Sequence, residues 1–167
     1  DTVTVTLGGA VNSASMTAPA GVGTLSFTGI DASSLPQGDV LVQVSVLDAS
    51  MNLTSMFGTT ARKDTVLPDP YTSAHIVAGP GNPQDIVNTN NASNARMFLT
   101  LPNTYLGSEI IDVSITDSAS TTASVTGRVA PFHGGVLVID WPNLSTLLDG
   151  TLTVSMTATD PAGNQGV

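Results

Sequence analysis

The feature that most constrains this chain is an internal repeat. Residues 35–52 align with residues 147–164 without a gap, so that Asp48 corresponds to Asp160, 112 positions further on. Self-similarity of this length indicates a tandem array of structural units, each large enough to form one sandwich domain. The repeat therefore predicts one and a half copies of a unit of about 110 residues.

Within the repeat, every second residue is apolar in both copies. This period of two is typical of a β-strand with one buried face. A second match aligns residues 1–7 with residues 109–115, again with apolar alternation. The alternating positions are Val40, Val42, Val44 and Val46 against Leu152, Val154, Met156 and Ala158, and Val3, Val5 and Leu7 against Ile111, Val113 and Ile115.

The pattern predicts an all-β chain of tandem immunoglobulin-like Greek-key β-sandwiches, with strands lettered A to G in each. Residues 1–64 would supply strands C to G and lack A and B, whereas residues 65–167 would supply A to F and lack G. We expect residues outside this sequence to complete both domains. The Pro-rich stretch 63–70 marks the junction, since proline cannot continue a strand ladder. The predicted strands are 2–7, 13–18, 24–29, 40–47 and 53–63, followed by 73–79, 95–101, 110–116, 121–127, 135–140 and 151–159.

No segment keeps a helical period over three turns, and residues 143–148 would form one short turn at most. Hydrophobic residues make up 41% of the chain, which is enough for a packed core. No apolar run is long enough to insert into a membrane. The net charge of −9 would repel a phosphate backbone and argues against nucleic-acid binding. Cysteine is absent, so no disulfide can rigidify the domains.

The motifs resemble those of bacterial immunoglobulin-like repeats in giant type-I-secreted, calcium-binding adhesins and biofilm-associated proteins. They are the opening Asp-Thr-Val-Thr-Val-Thr-Leu-Gly-Gly, the Lys-Asp-Thr-Val-Leu-Pro at residues 63–68, and the Asp-Pro-Ala-Gly-Asn at residues 160–164. The resemblance implies a secreted or cell-surface rod that carries an adhesive tip away from the cell and is stiffened by calcium near its junctions. The first copy departs from the pattern, with Asp48-Ala-Ser-Met-Asn52 lacking the glycine.

The strand layout predicts a calcium site at the junction. Glu109 closes the B–C loop of the second domain, Asp160 and Asn164 frame its F–G loop, and Asp64 enters along the linker. Such carboxylates repel one another unless a hard cation with 6–8 oxygen ligands joins them. The alternative is a solvated acidic turn cluster. Asp1 and Asp48 are the equivalent pair in the first copy.

The polar stretch 82–91 is a second candidate for an ion. We interpret it as a plain Asn-rich loop whose side chains bond to their own backbone, with a further cation as the alternative. Trp141 is more typical of an aromatic capping the core than of an exposed sugar platform.

No catalytic or cofactor-binding residues are predicted, so the chain is not expected to be an enzyme. It has no Gly-x-Ser-x-Gly motif, and its only histidines, His75 and His133, fall in a strand and in a loop. We expect a monomeric stalk whose partners are neighbouring repeats of the same chain, with a host-cell or surface receptor bound by another region, as in biofilm formation and virulence. The alternatives are a receptor- or glycan-binding tip domain and an accessory module of a secreted enzyme.

Overall fold

The structure is a computed structural model of residues 1–167. It describes residues 1–8, 13–19, 21, 23–77, 84–141 and 143–167, without the side chains of residues 55–57. The chain divides into two compact units, Asp1–Thr65 (unit 1) and Val66–Val167 (unit 2). The division lies one residue from the boundary proposed after residue 64. No helix in the described residues is long and apolar enough to cross a membrane.

Unit 1 is built on one four-stranded antiparallel sheet with the order β2-β1-β3-β4. Its strands are β1 (Thr2–Gly8), β2 (Ser13–Pro19), β3 (Gly38–Leu47) and β4 (Leu53–Lys63). This is the order D-C-F-G in the lettering used above. The rich content of Val and Thr in these segments suits a pleated, half-buried surface.

Unit 2 contains two antiparallel sheets, with the orders β5-β6-β9 and β11-β10-β7-β8. These are the A-B-E and G-F-C-D sheets of a Greek-key sandwich, so the predicted β-sandwich fold is confirmed. The strands are β5 (Ser73–Val77), β6 (Arg96–Leu101), β7 (Ile110–Thr116), β8 (Thr122–Val129), β9 (Gly135–Asp140), β10 (Thr153–Thr159) and β11 (Gln165–Gly166).

The core of unit 2 lies between its two sheets. One sheet contributes Met97, Leu99 and Ile139, and the other contributes Ile111 and Ile115, all with no exposed surface. These residues alternate along their strands, as the period of two predicts. Trp141 follows β9 and is buried in the same cluster, as expected of an aromatic that caps the core.

The two copies of the repeat pair their strands in the same register. In unit 1, Val3 lies opposite Val46 on the neighbouring strand. In unit 2, the corresponding residues Ile111 and Ala158 lie opposite each other. Since register decides which residues face the core, the sequence alignment is also an alignment in space.

The turns repeat as well. Asp31 accepts a hydrogen bond from the Ser33 amide (2.9 Å), and Asn143, 112 positions later, accepts one from the Ser145 amide (2.8 Å). The turns closed by the Leu35 and Leu147 amides are likewise 112 apart, each with an N···O distance of 3.1 Å.

Two strand predictions are wrong. Residues 24–29 form no strand in unit 1, although the aligned segment β9 is a strand in unit 2. The physical reason is that β9 pairs with β6, and no described segment of unit 1 occupies the place of β6. Strand G is not missing from unit 2, because β11 pairs with the end of β10. Of the predicted strand 73–79, residues 78 and 79 lie outside the described residues.

Candidate functional site

The end of unit 2 at which β7 begins and β10 ends brings two predicted calcium ligands close together. Ile110 is the register partner of Thr159, so Glu109 and Asp160 lie side by side just beyond the paired strands. In unit 1 the partners Thr2 and Leu47 place Asp1 and Asp48 at the corresponding end of β1 and β3. The predicted pairs Glu109/Asp160 and Asp1/Asp48 are thus each brought to one end of a sheet.

Glu109 closes the loop before β7 with its own carboxylate. The oxygens of this side chain accept hydrogen bonds from the backbone amides of Leu106, Gly107 and Ser108, at 2.9 to 3.1 Å. The residue is buried, and these donors offset the cost of burying its charge. An ionised carboxylate has about four acceptor positions, so this bonding limits what remains for a cation.

Asp160 organises the turn after β10. Its Oδ1 accepts the Asn164 amide at 2.9 Å, and its Oδ2 accepts the Asn164 side-chain amide at 2.8 Å. Burial raises the pKa of Asp160, but the hydrogen bonds from Asn164, Ala162 and Gly163 together outweigh it and hold the pKa below its ordinary value. The carboxylate is therefore ionised at neutral pH and is fixed in one orientation.

The turn at Asp48 has the same hydrogen bonds. Asp48 accepts the Asn52 amide and the Asn52 side-chain amide, both at 2.8 Å. The side-chain bond from Asn52 is the main reason that the pKa of Asp48 is lowered. Met51, at the place of Gly163, takes a left-handed φ of 66°, whereas Gly163 has 88°. Methionine thus occupies a backbone conformation that favours glycine, and the same turn is closed at the cost of some backbone strain.

Sequence reasoning missed a third turn of this design, which starts at Asp117. The Asp117 carboxylate accepts the amides of Ala119 and Thr121, at 2.9 and 2.8 Å, and that of Leu148 at 2.8 Å. The bond from Leu148 is the main cause of the lowered pKa of Asp117. The sequence did contain a signal for this turn, because Asp117 directly follows the predicted strand 110–116 and lies four residues before the predicted strand 121–127.

The first residues of unit 2 contact the loop that Glu109 closes. The Asp69 carbonyl accepts the Tyr105 hydroxyl at 2.6 Å, and the Asp69 carboxylate accepts the Thr104 hydroxyl at 2.8 Å. Burial, together with the charges of Glu109 and Asp69, raises the pKa of Tyr105 to about 12. The Pro68 carbonyl lies so close to Gly166 that a Cβ there would meet it at 2.1 Å.

The remaining predicted ligand, Asp64, belongs to unit 1, where it lies 3.5 Å from Arg62. The predicted set of Asp64, Glu109 and Asp160 would therefore join two units, and it stays a prediction. Within the described residues, no three His, Asp or Glu side chains are grouped so as to hold a metal ion. A cation at this end of unit 2 would need backbone carbonyls, the Asn164 side chain or water to complete its oxygen ligands.

The Asn-rich loop bonds largely to itself. Asn91 is buried, accepts the Asn88 amide at 2.7 Å and donates to the Ile86 carbonyl at 2.8 Å. These contacts agree with the interpretation as a plain loop, although Asn82 lies outside the described residues. Asp85 joins the loop to β5, because its Oδ1 accepts a hydrogen bond from the Ile76 amide at 2.8 Å. Its Oδ2 lies 3.1 Å from His75 Nδ1.

No protein-family model matches the chain, and no curated protein matches it. It is similar to a solved chain described as "Crystal structure of tetra-tandem repeat in extending region of large adhesion protein", with 28% sequence identity and a TM-score of 0.41. The similarity covers 98% of this chain and 39% of the solved one.

Proposed function

We propose that this chain is a pair of spacer repeats from the stalk of a large extracellular bacterial adhesin. The observation that carries the proposal is the repeat itself. The copies share strand register and turn hydrogen bonds, with an offset of 108 residues at β1 (109−1) and of 112 residues at β3 (160−48), as in a domain multiplied for length. The two units follow each other in the chain across the Pro-rich stretch 63–70, which favours tandem spacers over one catalytic domain.

The chemistry of the side chains supports a structural role rather than an enzymatic one. Asp48, Asp117 and Asp160 use their carboxylates to cap turns. His75 pairs with the exposed Asp85, and the His133 ring lies 3.9 Å from the Phe132 ring in a loop. Function of this kind depends on the number and stiffness of the repeats rather than on a pocket.

Arrays of the repeat test the spacer role. Because Asp1 aligns with Glu109, residues 1–108 can be copied in series ahead of residues 109–167 without breaking the strand order. We expect the maximum dimension in small-angle X-ray scattering to grow linearly with the number of copies. Arrays that collapse to a compact particle, with a size that levels off, would contradict the proposal.

We also propose that calcium stiffens the junction. Supporting this are the positions of Glu109 and Asp160, which the strand register places side by side at one end of the sandwich, the bonding of Asn164 to Asp160, and Asp69 in the segment leading into unit 2. A bound calcium ion would neutralise these like charges and fix the linker to the sandwich. The Glu109 carboxylate already accepts several backbone amides, so few of its lone pairs remain for calcium. We therefore expect weak affinity for calcium, with a Kd of ~10⁻⁴–10⁻³ M as in other extracellular modules.

Calcium binding can be tested by thermal unfolding in ~10 mM calcium and in chelator. At 10 to 100 times a Kd of that order, binding adds about 1–3 kcal/mol to the free energy of unfolding. Asp160→Asn should reduce the calcium-dependent rise in melting temperature. Asp117→Asn is the matched control, because it alters the same kind of turn away from the proposed ion. A melting temperature indifferent to calcium in the unmodified chain would refute the calcium proposal and leave the spacer role standing.

One observation favours a second candidate, a ligand-binding tip. Leu106 and Phe132 form an isolated β-bridge and expose apolar side chains, with Phe132 65% exposed. Exposed aromatic rings of this kind stack on sugars. If the chain binds glycans, Phe132→Ala should abolish capture on a glycan array, whereas Val136→Ala, also at an exposed apolar residue, should not. No capture by the unmodified chain would leave the spacer role as the better proposal.

A further inference from the structure

The segment between β4 and β5 contains an Asp-Pro peptide bond, which joins Asp69 to Pro70. Both residues are exposed, so water reaches the bond. The last strand of unit 1 ends at Lys63, and the first strand of unit 2 begins at Ser73. Breaking the Asp-Pro bond would therefore separate the strands of the two units without cutting any strand.

Two side chains of unit 2 contact Asp69. The Tyr105 hydroxyl donates to the Asp69 carbonyl oxygen, which belongs to the Asp-Pro peptide bond, at 2.6 Å. The Thr104 hydroxyl donates to Oδ2 of the Asp69 carboxylate at 2.8 Å. Tyr105 is buried in the core cluster, so the position of its hydroxyl is fixed by packing. A phenol keeps its proton at neutral and acidic pH and therefore remains a donor to the carbonyl.

We propose that unit 2 promotes cleavage of its own Asp69–Pro70 bond. The Asp69 carboxylate attacks the carbonyl carbon of the same residue, and the Tyr105 hydroxyl stabilises the negative charge that develops on the carbonyl oxygen. The C–N bond then breaks, and the Pro70 nitrogen takes a proton from water. The cyclic anhydride left on Asp69 adds water and opens to two carboxyl groups. The net reaction is hydrolysis of one peptide bond, and it goes beyond the spacer role.

The proline after Asp69 favours this route in two ways. Proline has no backbone N–H, so the side reaction in which the following amide nitrogen attacks the Asp side chain is blocked. Its tertiary amide nitrogen also accepts a proton more readily than an ordinary amide nitrogen, which makes it a better leaving group. Since nucleophile and carbonyl belong to one residue, the attack needs no encounter with a second molecule.

The chain has a second Asp-Pro bond, after Asp160, and its carboxylate is bound differently. Asp160 accepts the Asn164 amide with Oδ1 and the Asn164 side chain with Oδ2. At Asp69 the Thr104 hydroxyl engages Oδ2, and no described residue donates to Oδ1. Each Asp carbonyl accepts a hydrogen bond, that of Asp160 from the Gly163 amide at 3.0 Å. The carboxylate is therefore available as a nucleophile at Asp69 and committed to a turn at Asp160.

The test compares the two bonds within the full chain, kept in chelator at about pH 5, where an Asp carboxyl is mostly ionised. Mass spectrometry distinguishes cleavage after Asp69, which gives fragments 1–69 and 70–167, from cleavage after Asp160. We expect cleavage after Asp69 to be ~10-fold or more faster in the folded chain, and the two rates to become similar in urea that unfolds it. The chelator keeps calcium off the Asp69 carboxylate, so the outcome is independent of the calcium proposal.

Variants identify the groups that act. Tyr105→Phe keeps the ring but removes the donor, and it should slow cleavage after Asp69 by ~10-fold or more. Tyr71→Phe removes the hydroxyl of the other tyrosine, which packs against the same core, and should leave the rate unchanged. Asp69→Ala should abolish cleavage at this position. The fluorescence of Trp141 shows whether unit 2 of each variant is folded.

Equal rates at the two Asp-Pro bonds in the folded chain would overturn the proposal. So would a folded Tyr105→Phe chain that is cleaved as fast as Tyr71→Phe. If Tyr105→Phe does not fold, the comparison of the two bonds in the folded and unfolded unmodified chain decides alone. The spacer role stands after any of these outcomes.

Discussion

The two units contain the same four-stranded sheet in different surroundings. In unit 2 a second sheet packs on it and leaves Ile111 and Ile115 with no exposed surface. In unit 1 the corresponding residues are Val3 and Leu7, of which only Val3 is buried. Strand register and turn geometry nevertheless agree between the two sheets.

The local sequence pattern is therefore sufficient to define the strand order and register of the sheet, whereas packing against a second sheet determines its stability. The Asp-led turns and the alternating apolar residues occur in both copies, and within the four-stranded sheet they give the same strand order, the same register and the same turns. Most of the stability of a domain comes from apolar burial, and the described residues of unit 1 bury far less apolar surface than those of unit 2. We expect unit 2 to be the more stable unit when each unfolds separately.

The largest effect is expected from a matched pair of core truncations. Ile115→Ala removes a fully buried side chain and should cost about 3–4 kcal/mol, as for other large-to-alanine changes in packed cores. Leu7→Ala, at the equivalent place in unit 1, should cost about 1 kcal/mol, because its side chain is partly exposed.

Urea unfolding can separate the two units. Trp141 is the only tryptophan and lies in unit 2, so its fluorescence reports unit 2, while hydrogen exchange in β1 and β3 reports unit 1. A loss as large for Leu7→Ala as for Ile115→Ala would show that the face of the unit 1 sheet that carries Leu7 is covered in solution.

A smaller effect is expected from exchanging the left-handed residue of the equivalent turns. Met51 adopts the conformation that glycine adopts at residue 163. A side chain in this region costs roughly 1–2 kcal/mol, partly offset by the greater flexibility of unfolded glycine. Met51→Gly should therefore stabilise unit 1 by about 0.5 kcal/mol, and Gly163→Met should destabilise unit 2 by about 1 kcal/mol.

The change in stability of each unit can be measured by thermal unfolding that is monitored through hydrogen exchange of the amides in that unit. Ala49→Gly is a suitable control in the same turn of unit 1, since residue 49 has no left-handed φ and should gain nothing from glycine. If Met51→Gly destabilised unit 1, the methionine side chain would have to make contacts that outweigh the strain, although it is 76% exposed.

Most strands could be predicted from the sequence because each combines a period of two with turn residues at its ends. The segment 24–29 has the same pattern and was predicted as a strand, yet it forms none. A strand also needs a neighbour for its backbone, and single-strand patterns do not report whether the neighbour is present. β11 was missed for the opposite reason. It has only two residues, and pairing with β10 defines it rather than any pattern of its own.

The candidate site was harder to predict than the fold. The sequence placed Glu109 and Asp160 correctly at the ends of adjacent strands, since a sandwich with this strand layout brings the B–C and F–G loops to one end. It did not show that their oxygens accept backbone amides, because such bonds depend on loop conformations that a spacing does not encode. The contact of Tyr105 with Asp69 was missed for the same reason.

The smallest effects on stability are expected from lowering the pH. They test the Asp-led turns, which the two units have in common. The pKa values of Asp48 and Asp160 are both held below their ordinary value: at Asp48 the hydrogen bonds from Asn52 are the largest effect, and at Asp160 burial raises the pKa but the hydrogen bonds that the carboxylate accepts, the largest of them from Asn164, outweigh it. A carboxyl group with a lowered pKa in the folded state stabilises the fold above its unfolded pKa of about 4, and this contribution is lost as the pH falls through the folded pKa. Both turns should thus weaken in the same window, below about pH 4.

Carboxyl chemical shifts in NMR titrations should place both midpoints below that of a free Asp, and Asn52→Ala and Asn164→Ala should each raise the midpoint of their own turn only. A normal midpoint at Asp48 beside a lowered one at Asp160 would show that the turn, like the core, is completed only in unit 2.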